Sequence, residues 1–251
     1  MKKYELTDQT IDVGGKTLFR IRALKDLPNA KAGELGGYIE KNDNLDQDGN
    51  AWVGGNARVG DNAQVDGNAL VGNNAWVGDN ARVSGDTWVG NNARVDDNAW
   101  VSGNARVDGN TWVGGNARVD GNARVDGNAR VDGSAQVGGN AQVLDNARVS
   151  GNARVDGNAR VDGRSYVDGN AWVNKPQHVF SAGPIGPRND TITFFRTEDL
   201  NIKVKIGYFI GTIEEFRAKA HGDSMYGQTY QLLADIAEQW IDLSENGAMS
   251  V

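Results

Sequence analysis

Valine recurs every six residues from Val53 to Val173 without a miss, which makes 21 consecutive hexapeptides and about half of the 251-residue chain. The unit reads Gly-Asn-Ala-Arg-Val-Asp, as at Gly121 to Asp126. The position two before each valine is Ala in 18 units, with Thr87, Thr111 and Ser165 as the exceptions. The position three before is Asn in 18 units, and the position four before is always Gly, Asp or Asn. A helix is excluded, because a period of six does not hold one helical face over 126 residues.

Each column has a physical reading. Ala-x-Val alternates, so Ala and Val share one face of a short strand and the residue between them points away. Gly, Asp and Asn are the residue types that tolerate positive φ, so a tight turn is predicted every six residues. Strand and turn repeated in one sense close into a prism. Three sides give 18 residues per coil, so 21 units give seven coils. At about 4.8 Å per coil the body is roughly 34 Å long. Its interior is valine and small residues, and each buried valine contributes on the order of 1.5–3 kcal/mol before chain entropy is subtracted. Stacked asparagines are expected to form side-chain ladders along the corners.

An aliphatic residue with a small residue four places on, as in Val119 with Ala123 and Val125 with Ala129, resembles the hexapeptide-repeat left-handed parallel β-helix family. The left hand is implied by that resemblance; parallel crossovers taken alone favour the right hand.

Open strand edges at the ends of such a coil need caps. Thr10 to Val13, Gly14-Gly15 and Lys16 to Ala23 read as a hairpin. Ile39 and Leu45 are also six apart, so the coil is expected to begin near Gly36, with two extra residues before Val53 breaking the phase. Beyond Lys175-Pro176, strands are expected at Val179-Phe180, Thr191 to Arg196 and Ile202 to Ile210. Thr212-Ile213-Glu214-Glu215 is a capping box opening a helix, and Leu233, Ile236, Ala237 and Trp240 give a second one. The expected architecture is an all-β repeat, a left-handed parallel β-helix of about seven to nine coils, with an N-terminal hairpin cap (1–35), the coil (36–174) and a small C-terminal α+β domain (175–251). The segments Lys31 to Glu40 and Gly186 to Thr191 resemble those of the YdcK-like bacterial and prophage group. That resemblance implies a phage or prophage setting in a bacterial cytoplasm and brings no activity with it.

Function must lie in the variable column before each valine, which holds ten Arg, six Trp, three Gln, Leu70 and Tyr166. Stacked by side, one row runs Arg58, Trp76, Arg94, Trp112, Arg130, Arg148, Tyr166; Trp100 falls in the second row, and Trp52 and Trp88 in the third. Neighbours lie one strand spacing apart, where guanidinium on indole contributes about 0.5–1 kcal/mol. Such ladders can simply stiffen the sheets. Trp and Arg are also the typical anchors of interfaces, which makes Trp52, Arg58, Trp76, Trp88, Arg94, Trp100, Trp112 and Arg130 a candidate binding surface for a protein partner from a bacterial host, or for a second copy of the chain.

The formal net charge of -7 argues against direct nucleic-acid binding. The coils from 49 to 174 hold 11 Arg and 14 Asp, a net of -3, so a DNA-mimic inhibitor is an alternative, weakened because Arg rows lie beside the Asp rows. A transferase-like enzyme is the other alternative. Acyltransferases of this fold generally use a histidine base near a loop that interrupts the coils. Here the two histidines, His178 and His221, lie outside the repeat, and nothing interrupts the 21 units. The carbonic anhydrases built on this fold use three metal-binding histidines, and two cannot supply them. Without cysteine, a third histidine or a P-loop, no metal, cofactor or catalytic residue is expected. No apolar run reaches the roughly 18 residues of a membrane span.

Overall fold

The computed structural model describes residues 2–220 and 226–244. Each hexapeptide forms a two-residue strand, from Trp52–Val53 to Trp172–Val173. Each strand pairs in parallel with the one 18 residues on, Trp100 with Arg118 and Val101 with Val119 being typical. Three strands per turn therefore stack into three parallel sheets. All 21 valines are buried, as are the 18 alanines two places before them.

The corners follow from the turn column. Asp61, Asn73, Asp79, Asn91, Asp97 and Asp145 have positive φ, as do the 15 glycines that complete the column. Space adds to the demand: a Cβ on Gly121 would lie 2.9 Å from the backbone nitrogen and oxygen of Gly139 in the next coil. Asparagine side chains form the expected ladders, Asn62 donating to Asn80, Asn80 to Asn98 and Asn98 to Asn116 at 3.1–3.2 Å.

The solenoid starts with β1 (Tyr4–Val13), β2 (Lys16–Ala23) and β3 (Leu35–Ile39). Ile39 pairs with Val59, Leu45 bridges to Val65 and Val53 pairs with Val71. These three side chains build the first coil, and the 20 valines that follow Val53 build nearly seven more, for about eight turns. The two extra residues between Leu45 and Val53 receive the start of the chain. Gln47 Oε1 accepts the Lys3 backbone N–H at 2.8 Å, and the Asp48 carbonyl accepts from Lys3 Nζ at 3.0 Å. Burial pushes the Lys3 ammonium down to about 8. The hairpin strand begins at Tyr4, not Thr10; a register shift between Leu6 and Thr10 hides its first half from a period-two reading.

At the other end, Val179–Ile185, Asp190–Arg196, Ile202–Ile206 and Phe209–Thr212 form an antiparallel sheet in chain order. The expected single strand from Ile202 to Ile210 is a hairpin, turned at Gly207 with φ of 52°. Helices α1 (Ile213–Ala220) and α2 (Gly227–Trp240) pack on this sheet around Phe194, Val204 and Phe216. The capping box is reciprocal: Glu215 N–H donates to Thr212 Oγ1 at 3.2 Å and Thr212 N–H to Glu215 Oε2 at 2.9 Å. On α2, Ala234 and Ala237 face inward, whereas Ile236 and Trp240 are about half exposed. His221 lies outside the described residues. The domain closes the last coil through a Thr197–Ala171 bridge and a Lys203 Nζ bond to Asn170 Oδ1 of 2.9 Å. No helix among the described residues is long and apolar enough to cross a membrane.

Candidate functional site

The strand registers sort the candidate residues. Arg58, Trp76, Arg94, Trp112 and Arg130 stand on successive strands of one sheet. Trp100 stands on the second sheet between Arg82 and Arg118, and Trp88 on the third beside Leu70. Trp52 does not face outward to a partner. It is 2% exposed, because the N-terminal cap folds over it; a Cβ on Gly36 would lie 2.7 Å from its Cζ2. Docking of a cap is a tertiary event that the repeat pattern does not announce. Trp100 is the most open of the coil tryptophans, at 43%.

Cations stack on aromatic rings throughout: Arg118 on Trp100 at 5.6 Å, Arg106 on Trp88 at 5.9 Å and Arg130 on Trp112 at 3.6 Å. The caps continue the pattern. Arg20 of β2 lies over Tyr38 at 5.4 Å, Lys205 over Tyr166 at 4.8 Å and Arg196 over Trp172 at 4.7 Å. Each cap thus supplies the cation that a further coil would have supplied.

A groove of about 900 Å³ runs along the first sheet beside the hairpin tip. Its floor is Tyr38, Arg58, Trp76 and Arg94; Asn56, Asn74 and Asn92 line one side, Asp61 and Asp79 the other, and Ile11, Val13 and Lys16 the lip. Lys16 is ion-paired to Asp61, which fixes the tip against the coil. Within this row the residues differ in how fully they are engaged. Trp112 donates its indole N–H to Asp96 at 2.6 Å, and the same carboxylate binds Arg94. Trp76 has glycine where Trp112 has Asp96: a Cβ on Gly60 would lie 3.3 Å from its ring and one on Gly78 2.4 Å from its Nε1. Arg58, 6.0 Å from the Trp76 ring centre, makes no ion pair among the described residues. Arg58 and Trp76 are therefore the pair with donors and ring surface to spare.

The family model described as the YdcK beta solenoid repeat matches residues 99–115 and 147–163. Each matched stretch is one full turn, three strands long. The chain is a β-solenoid repeat protein. No curated protein matches it.

The solenoid carries a second pattern, legible in its sequence. Seven of the ten arginines before a valine have Asp two residues on, and none of the six tryptophans does. Side chains at these two positions lie on the same outer face and touch. Ion pairs join Arg106 to Asp108, Arg130 to Asp132, Arg154 to Asp156 and Arg160 to Asp162 at 2.6–3.1 Å. Arg124 bonds Asp126 in the same way and holds that carboxyl below its ordinary range. Four of the six indoles have glycine there instead, and Trp76, Trp88 and Trp112 lie across that position, against Gly78, Gly90 and Gly114. Arginine in the later coils is thus largely neutralised on the spot, whereas Arg58 is followed by Gly60 and Arg82 by Ser84.

Proposed function

We propose that this β-solenoid is a left-handed hexapeptide coil of the YdcK-like bacterial or prophage group, and that it acts in a bacterial cytoplasm as a non-enzymatic binding or scaffold protein. Its protein partner docks on the N-terminal coils, in the groove floored by Arg58 and Trp76. The observation that supports the reading is the contrast within one row: Arg94, Trp112 and Arg130 engage one another and Asp96, while Arg58 lies over Trp76 and makes no ion pair among the described residues, beside the lip of Ile11 and Val13. A rigid aromatic–arginine pair in a recess is the composition expected of a binding hot spot. The coil is the rigid part, since each turn is tied to the next by backbone bonds on three sides.

The test is capture from host extract by the wild-type chain and by a Trp76→Gln, Arg58→Gln double variant, followed by titration of the purified retained protein. Loss of at least about tenfold in affinity, with the melt unchanged, is the expected result. Equal affinity of both chains would exclude the groove. A partner whose affinity depends instead on Asp108, Asp126 and Asp162 would favour the nucleic-acid-enzyme inhibitor.

A further inference from the structure

Eight buried side-chain nitrogen and oxygen atoms lack a partner among the described residues, and five of them lie where the last coil meets the C-terminal domain. They are Trp172 Nε1, Asn174 Oδ1, His178 Nε2, and Nε and Nη1 of Arg196. His178 is fully buried and Arg196 is 2% exposed. Arg196 reaches in from the strand Asp190–Arg196 and stacks on Trp172. Its bond from Nη2 to the Ser244 carbonyl is long, at 3.5 Å.

Guanidinium keeps its charge at any ordinary pH, and a buried charge without a counter-charge is strongly destabilising. The carboxylate that Arg196 feels, Asp242, is already occupied by Lys175 at 3.0 Å and by the Ser244 N–H at 2.9 Å. His178 Nδ1 accepts the Asn174 backbone N–H at 3.3 Å, so the proton of the neutral ring sits on Nε2. Burial first, then the charge of Arg196, holds that ring neutral, with its pKa pushed down to about 4. Four of the five orphaned atoms are then donors, and Asn174 Oδ1 is the one acceptor. Water brings two hydrogens that need acceptors of their own. An anion within reach of these donors accepts from them and offsets the positive charge of Arg196 and Lys175, which share the Asp242 carboxylate.

We propose that a small inorganic anion of the halide class binds at this junction, against Arg196, Trp172 and His178, and pins the C-terminal domain to the last coil. Bromide is the probe. The full chain is melted in mixtures of sodium bromide and sodium methanesulfonate at constant ionic strength. The melting temperature should rise along a saturating curve, by roughly 5 °C at a hundredfold excess over the midpoint. Trp172→Phe keeps the ring and deletes one donor, and should move the midpoint about tenfold upward. Arg196→Met keeps the stacked stem and should abolish the dependence; if that variant does not fold, the Trp172→Phe midpoint carries the test. Crystals grown in bromide should show an anomalous peak within hydrogen-bond reach of Arg196 Nε. Identical melts in the two salts would overturn the proposal. So would an unchanged midpoint in Trp172→Phe, or a water in place of the peak.

Discussion

Arg58 and Arg160 occupy equivalent places on one repeating backbone, each immediately before a buried valine. Two residues on, Arg160 meets Asp162 at 2.6 Å, whereas Arg58 is followed by Gly60 and lies near a tryptophan. The two-residue strands that carry them are alike. What differs is the pair of outward columns, which the fold leaves free. In the later coils most arginines are cancelled by Asp, Arg148 beside Ser150 being an exception; in the early coils the columns leave indole and guanidinium beside a groove. In this solenoid the inward columns specify the structure, and the outward ones carry the division into scaffold and contact halves proposed above.

The largest expected effect breaks the contrast between inside and outside. Val119→Asp places an unpaired charge in the prism and should cost several kcal/mol, enough to prevent cooperative folding. Arg118→Asp, one residue earlier and exposed, should cost less than about 1 kcal/mol. A melt within a degree or two of wild type for Val119→Asp would contradict the inward valine column.

A second contrast sets the junction against the middle coils, which carry no histidine. His178 resists protonation down to about 4, below its ordinary 6.5. Between those values the unfolded chain binds the extra proton, so the stabilisation is complete above about 6.5 and declines as pH falls. Urea titrations should lose on the order of 2–3 kcal/mol across that window. His178→Gln should flatten the slope, and an equal slope in both chains would contradict the assignment.

The two kinds of aspartate sharpen the comparison of halves. Asp96 is buried and holds both Arg94 and Trp112, so Asp96→Ala should cost about 1–3 kcal/mol. Asp156 serves one exposed arginine, and Asp156→Ala should cost about 0–1 kcal/mol. Chemical denaturation of the two variants side by side reads the difference, and equal costs would remove the distinction. Smallest of all is Thr111→Ala. Its buried hydroxyl has no partner among the described residues, and its neighbours in the coils on either side, Ala93 and Ala129, do without one. Deleting it should leave stability unchanged or raise it by up to about 1 kcal/mol.

Most of the fold was legible because one physical constraint repeats 21 times. Val, Ala and the positive-φ column each state a local requirement, and the three rows follow from counting by 18. The first coil at Ile39 and Leu45 was readable for the same reason. Where a contact occurs once, period is silent. The burial of Trp52 depends on Gly36 of the cap, and the split of Ile202 to Ile210 depends on a single turn at Gly207. On α2, helical spacing gathers Ile236 and Trp240 with Leu233 and Ala237, but only the domain's packing decides which of them face inward. Of the candidate site, the row Arg58–Trp76–Arg94–Trp112–Arg130 was visible in advance. The groove was not, because its lip comes from Ile11 and Val13, which are distant in the chain. The Arg–Asp coupling was present in the letters throughout; it needed two columns to be read together.

Side-chain footprinting of the complex tests the division into halves most directly. Hydroxyl radicals oxidise exposed indole and aliphatic side chains, and mass spectrometry locates the modification. On binding the partner, Trp76, Ile11 and Val13 should become protected, while Trp100 on the second sheet and Tyr208 in the C-terminal domain keep their rates. Protection confined to Trp100, or to the coils after Arg118 with Trp76 unchanged, would contradict the account.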